Sequence, residues 1–226
     1  MCVLYLVWKH SGINRLTLPC RGTGAAPPEL TNSVGLPLEE GLVLVRNLLV
    51  GAGLRDKVKI NASGKISSAF SLVRTIALGA DITCAARAFM LSLGCIQALK
   101  CNTNKCPTGI ATQDKALMYG LDPEIKTHRV YHFHRKTVQA AAEIAGIMGY
   151  ESIHSVTSND IMRRIQSNVV RTLSEHFPEV EPGSLVTGTA KRRLQEAWDN
   201  CSSDREKYHA SHRRWIYSSL DFPKGG

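Results

Sequence analysis

The sequence predicts an α/β fold built from repeated strand-helix units. Three observations carry this. Between residues 38 and 99 short β-branched segments alternate with amphipathic ones at helical spacing, the links between them are short, and the first two amphipathic segments stop at glycine. Strands joined in this way run parallel through right-handed crossovers. Units of about 25–30 residues suit either a (β/α)8 barrel or a doubly wound sheet.

The elements follow in chain order. "LPLEEGLVLVRNLLVGAGL" sets Leu38, Leu42, Val45 and Leu49 at helical spacing and ends in Gly51 and Gly53, an amphipathic helix with a glycine stop. "VKINAS", residues 58–63, is short, β-branched and bounded by Gly64, and reads as a strand. "ISSAFSLVRTIALG" returns to the helical period, with Ile66, Phe70, Val73 and Ala77 on one face and Gly79 as its stop. "ADITCAA" is a second strand, and it leads into "RAFMLSLGCIQAL", which reads as helix as far as Leu99. Beyond residue 115 the expectation is helices without strands. "VYHFHRKTVQAAAEIAGIMGY" is one, and "SNDIMRRIQSNVVRTLSEHF" is a second, capped by Ser158 or Asn159. "PEVEPGS" reads as a linker, and of the last forty or so residues only "AKRRLQEAWDN" is firmly helical, with fraying expected after it.

Composition narrows the class. The chain has 226 residues, 43% hydrophobic and 21% charged, with 18 Gly and 9 Pro, which places it among globular proteins rather than disordered or fibrous ones. No apolar run approaches the roughly 20 residues of a membrane span, and "MCVLYLVW" leads into Lys9 and His10 with no small-residue cleavage site, so the cytoplasm is expected. Seven cysteines, an odd number with no framework spacing, argue against a disulfide scaffold and for a metal or redox site. Net charge is +9 overall, and residues 1–123 hold 13 Lys and Arg against 7 Asp and Glu. Aromatics are only 6% and the cations stand singly rather than in a stripe, so small anions are expected as ligands rather than nucleic acid.

Two strand ends and one loop carry chemistry. Ser63, Gly64 and Lys65 stand where the first strand gives way to a helix, and Ala85, Ala86 and Arg87 stand at the corresponding end of the next. Small residues let backbone N–H groups approach an anion there, and two consecutive loops of this kind form the usual phosphate site of barrels; a lone Gly64 would be an ordinary turn. In "GCIQALKCNTNKCPTG", Cys95 and Cys101 are separated by five residues and Cys101 and Cys106 by four. Thiolates on such a turn-rich loop suit an iron-sulfur cluster. Zinc is an alternative that would need His128, His132 or His134 for a second pair, and buried unreactive thiols are a third. Met1-Cys2 suggests an exposed N-terminal nucleophile, but about 20 residues are too few for the fold such a nucleophile requires. His128 and His132, four apart on one helix, lack a carboxylate partner and read as solvated or packed.

"GTGAAPPELTNSVGLPLEEGL", "LRDKVKINASGK", "ALGAD" and above all "GCIQALKCNTNKCPTGIATQD" resemble the FMN-binding glutamate synthase domain of the large-subunit type, over about residues 22–165. The resemblance implies the C-terminal part of a (β/α)8 TIM barrel followed by a helical extension: an atypical segment at 1–21, a partial barrel with the cysteine loop at 22–115, and the extension at 116–226. It assigns a 3Fe-4S cluster to Cys95, Cys101 and Cys106, and FMN to Ser63, Gly64, Lys65, Ala85, Ala86 and Arg87. It assigns no catalytic residue. It also implies reduction of 2-iminoglutarate, formed from 2-oxoglutarate and ammonia or glutamine-derived ammonia, to L-glutamate, with electrons from a donor subunit or ferredoxin. About three strand-helix units can be counted where a closed barrel needs eight, so the chain is expected to associate or to take its missing units from an N-terminal barrel partner. A phosphate-binding barrel of the IMP dehydrogenase type and a non-catalytic remnant are the alternatives.

Overall fold

The computed structural model describes residues 5–7, 14–19 and 36–199, in two compact units. Cys201, the tail expected to fray, Met1-Cys2 and "GTGAAPPELTNSVG" lie outside the described residues.

The first unit comprises residues up to 42 together with 59–157. Its sheet is ordered β1-β2-β3-β4, from Tyr5–Val7, Asn14–Pro19, Val58–Ser63 and Ile82–Cys84. β1 and β2 form an antiparallel pair, in a segment for which the sequence carries no strand expectation. β3 and β4 are parallel, as expected, with Asn61 opposite Ile82 and Ser63 opposite Cys84. β3 alternates strictly: Val58, Ile60 and Ala62 are buried, while Lys59 is exposed. The Asp81 carboxylate, just before β4, accepts the Ile60 N–H at 2.7 Å, and the Asp81 N–H donates to the Ile60 carbonyl, so "ALGAD" opens the ladder between the two strands.

α1 (Leu38–Gly51) begins in this unit, where Glu39 meets Arg74 of α2 (Ala69–Ala77) at 2.7 Å. α2 starts three residues later than "ISSAF" suggests, because Ser68 and Ser71 form a reciprocal capping box there; Phe70 is exposed as a result. Gly79, at φ 107, ends the turn after it. α3 (Arg87–Ser92) and the short α4 (Lys115–Met118) lead to α5 (Pro123–Ile147), a 25-residue helix capped by Asp122 with Pro123 in its first turn. Ala141 and Ala145 are its buried residues, Phe133 meets Phe89 of α3 edge-on at 5.2 Å, and α2 packs along it. None of the helices among the described residues is long and apolar enough to cross a membrane.

The second unit comprises residues 43–58 and, of the described residues, 158–199. Here the helical expectation for 158–177 is corrected. β5 (Met162–Gln166) and β6 (Val169–Thr172) form an antiparallel hairpin, with Gln166 opposite Val169 across the two-residue turn Ser167-Asn168. In β5, Arg163 and Ile165 are half-buried between exposed Met162, Arg164 and Gln166, a period of two, and the β-branched Val169, Val170 and Thr172 follow. The tertiary fold thus overrides an ambiguous pattern. Ser158 and Asn159 do not cap a helix at this point; Thr172 does, in a capping box with Glu175 that opens α6 (Leu173–His176). Short α7 (Ser184–Thr187) and α8 (Arg192–Asp199) follow. Leu185 lies against Gly51, where a Cβ would come within 2.7 Å of its side chain.

Candidate functional site

The two small-residue loops lie side by side. Because β3 and β4 are parallel and Ser63 pairs with Cys84, Ser63-Gly64-Lys65 and Ala85-Ala86-Arg87 leave neighbouring strands at the same end of the sheet. That is the end at which parallel α/β sheets bind ligands. Lys65 holds a left-handed φ of 53 without being glycine, and Ala86 is exposed at the start of α3. Gly64 also has a packing role: its Cβ would stand 3.1 Å from the Leu38 Cβ of α1.

The cysteine loop begins earlier than the sequence suggests. The helix expected as far as Leu99 ends at Ser92, because Gly94 takes φ 101 and Gln97 and Leu99 take φ 57 and 55. Left-handed conformations of non-glycine residues are costly and gather at functional sites. The early stop moves Cys95 off the helix and onto the loop of the other two cysteines. Cys95, Cys101 and Cys106 then line one cleft, with Ile96, Leu99, Lys100 and Thr108.

Hydrogen bonds shape that loop. The Gln97 N–H points to the Cys95 sulfur at 3.4 Å, and the Thr108 hydroxyl lies 3.4 Å from the Cys106 sulfur. The Asn104 side chain accepts from the Gln113 N–H at 2.7 Å and from the Thr112 hydroxyl, which also donates to the Asn104 carbonyl. Cys106 is buried, which pushes its thiol up, but the Thr108 hydroxyl and the N–H groups of Ala111, Thr108 and Ile110 outweigh this and leave it lowered to about 7. Such a thiol is substantially thiolate at neutral pH, the form that binds metal.

Donor type and surroundings fit an iron-sulfur group: three soft sulfur donors line one cleft, with N–H and O–H groups directed at two of them. As the side chains stand, no three His, Cys, Asp or Glu among the described residues close into a metal-holding group. The histidines required for zinc lie elsewhere: His128, His132 and His134 are exposed along α5, and none lines the cleft. Cys84 stands apart too, exposed at the end of β4 and bonded to Asn61. Residues 94–109 therefore carry a donor set rather than a closed site.

Sequence reasoning missed Thr108, Asn104, Lys126 and Arg129. Thr108 had a signal, a hydroxyl two residues beyond Cys106 in "CPTG". Lys126 and Arg129 had none, since they reach the cysteine loop from α5 only through the fold: their side chains converge on Gly94.

Comparison with known proteins gives one answer. A family profile described as a conserved region in glutamate synthase matches residues 20–151. The chain is 39% identical over 150 residues to the glutamate synthase large subunit-like protein YerD of Bacillus subtilis, covering 66% of this chain and 29% of that protein. It is 38% identical over 148 residues to the archaeal glutamate synthase [NADPH] of Methanocaldococcus jannaschii, with coverage of 65% and 29%. It is also 32% identical over 158 residues to the chloroplastic ferredoxin-dependent glutamate synthase 2 of Arabidopsis thaliana, of which it covers 9%. The chain thus spans less than a third of the length of these relatives. The match decides against the IMP dehydrogenase-type alternative. With its profile covering more than half of the 226 residues, and with large-subunit-type proteins among its relatives, this chain belongs to the glutamate synthase family.

Proposed function

We propose that the chain is the flavin- and cluster-bearing part of a glutamate synthase, cytoplasmic, and that it works only when the rest of a barrel is supplied. The observation that carries this is the convergence of Cys95, Cys101 and Cys106 on one cleft. In the whole enzyme 2-iminoglutarate, formed from 2-oxoglutarate and ammonia, is reduced to L-glutamate. Bound FMN supplies the hydride chemistry of that reduction, and a 3Fe-4S cluster supplies single electrons from a donor subunit or ferredoxin.

This chain's own residues bind and orient. The N–H groups of Gly64, Ala85 and Ala86 would donate to the FMN phosphate, and Lys65 and Arg87 would balance its charge. The thiolates of Cys95, Cys101 and Cys106 would hold iron, while the Gln97 N–H and the Thr108 hydroxyl fix the sulfur lone pairs. No residue of the chain is assigned to proton transfer.

The phosphate loops have a direct test. In a protein completed by the remaining barrel units, Ala86→Asp should weaken FMN binding by more than ~100-fold, because it sets a carboxylate against the phosphate. Ala86 is the better site than Gly64, where any side chain would also crowd Leu38. Flavin retained at wild-type affinity would mean that these loops are ordinary turns.

The chain alone should not make glutamate. Hydride transfer needs the flavin ring held against its substrate to within about half an ångström, and a partial barrel leaves the ring uncovered. The pure 226-residue chain with FMN and dithionite is expected to yield no glutamate from 2-oxoglutarate and ammonia, and activity is expected on adding a polypeptide with the missing strands. Turnover by the chain alone would falsify this. A structural, non-catalytic role is the second reading, favoured by Gly64, which packs against Leu38 as an ordinary turn glycine would. A purified chain with neither flavin bands nor cluster absorption would support that role.

A further inference from the structure

We infer that Lys126 and Arg129 are electrostatic counter-ions of the cysteine loop and raise the reduction potential of the iron-sulfur group it would hold; this rests on the assignment of the three cysteines just proposed. The two cations rise from consecutive turns of α5, Lys126 half-buried and Arg129 exposed. They converge on one point. A Cβ at Gly94 would stand 3.1 Å from Lys126 Nζ and 3.7 Å from Arg129 Nη1. Gly94, at φ 101, immediately precedes Cys95.

Neither side chain has a hydrogen-bond or ion-pair partner among the described residues. Two like charges brought together without a counter-charge repel each other, and a half-buried lysine also loses hydration. The neighbouring acids are engaged as helix caps, Asp114 accepting the Ala116 N–H at α4 and Asp122 the Glu124 N–H at α5, and among the described residues neither forms an ion pair with the two cations. The cysteine cleft next to Gly94 is where further negative charge would gather once its thiols bind metal as thiolates. Chain geometry keeps both cations within about 12 Å of the Cys95 sulfur at most, about one and a half Debye lengths at physiological salt, and the half-buried setting of Lys126 screens less than open solvent does.

Uptake of one electron makes the loaded loop more negative by one charge. Fixed cations nearby favour that state over the oxidised one, and removing them should lower the potential. The sign follows from charge alone and needs no proton.

The full chain, reconstituted anaerobically with iron and sulfide, provides the test through a potentiometric titration with dithionite followed by electron paramagnetic resonance. In the double variant Lys126→Gln with Arg129→Gln, the reduced-to-oxidised ratio at a fixed potential is expected to fall roughly tenfold, a downward shift of about 59 mV for a one-electron couple. Lys126→Arg with Arg129→Lys keeps both charges and should restore the wild-type value. Lys136→Gln, exposed further along α5, should leave it unchanged. Iron content is measured in every variant, and if the double variant does not load, Lys126→Gln is read in its place. Wild-type iron content with an unshifted potential overturns this inference alone. A wild-type chain that takes up no iron overturns the assignment of the cysteines and this inference with it.

Discussion

Serine at Cys95, Cys101 or Cys106 is expected to remove iron and acid-labile sulfide together, with affinity falling by more than ~100-fold in each single variant. The reason is donor type. A hydroxyl is a hard and weakly acidic ligand, and a cluster held by three thiolates has no spare donor to take over. Cys84→Ser is the contrast, since its sulfur bonds to Asn61 at the end of β4 and lines no part of the cleft. Iron and sulfide assayed on anaerobically prepared protein decide the matter. Zinc in place of iron, or equal metal content in all four variants, would sink the cluster assignment.

Gly109→Ala should unseat the same loop without touching a sulfur. Gly109 is buried at φ 76, and a Cβ there would overlap the Leu117 carbonyl oxygen and press on the Leu121 N–H and the Met118 Cα. All three are backbone, so none can swing aside. A left-handed alanine and a backbone overlap together cost roughly 3 kcal/mol or more. The Gly109 N–H also donates to the Cys106 carbonyl at 3.2 Å, so the strain falls on the turn that carries Cys106. The expected readouts are a clear loss of thermal stability and faster alkylation of Cys106 than in the wild type. An unchanged melting curve would mean that the turn relaxes more easily than its contacts suggest.

The strand-helix alternation was legible because β3 and α2 obey their periods cleanly: Ile60 and Ala62 are buried two apart, and Val73, Ile76 and Ala77 share a helix face. The two loops at the strand ends could be placed side by side for the same reason, since parallel pairing brings neighbouring loops together. The end of α3 could not. "LSLGCIQAL" is a good helix by propensity, and only the left-handed turn at Gly94 and the two strained residues after it redirect the chain. "IMRRIQSNVV" fails differently, because its apolar residues satisfy a helical and an alternating pattern at once and only the partner strand decides. Lys126 and Arg129 illustrate a third limit. Their meeting with Gly94 spans more than thirty residues of sequence, and nothing local announces it.

The Asn104 clasp has a consequence for how metal would be gained and lost. Its side chain reaches across to Gln113 and Thr112 and closes a ring of about ten residues around Cys106 by hydrogen bonds alone. Closing a ring of that size costs roughly 2 kcal/mol of chain entropy, and here the fold has already met that cost before any metal arrives. Around Cys106, then, binding iron would order little new chain. Among the described residues no comparable cross-link closes the stretch from Cys95 to Cys101, which holds two of the left-handed residues, so most of the ordering would fall there. Cys106 would act as the anchored ligand, and Cys95 and Cys101 as the pair that closes over the metal and opens first when it leaves.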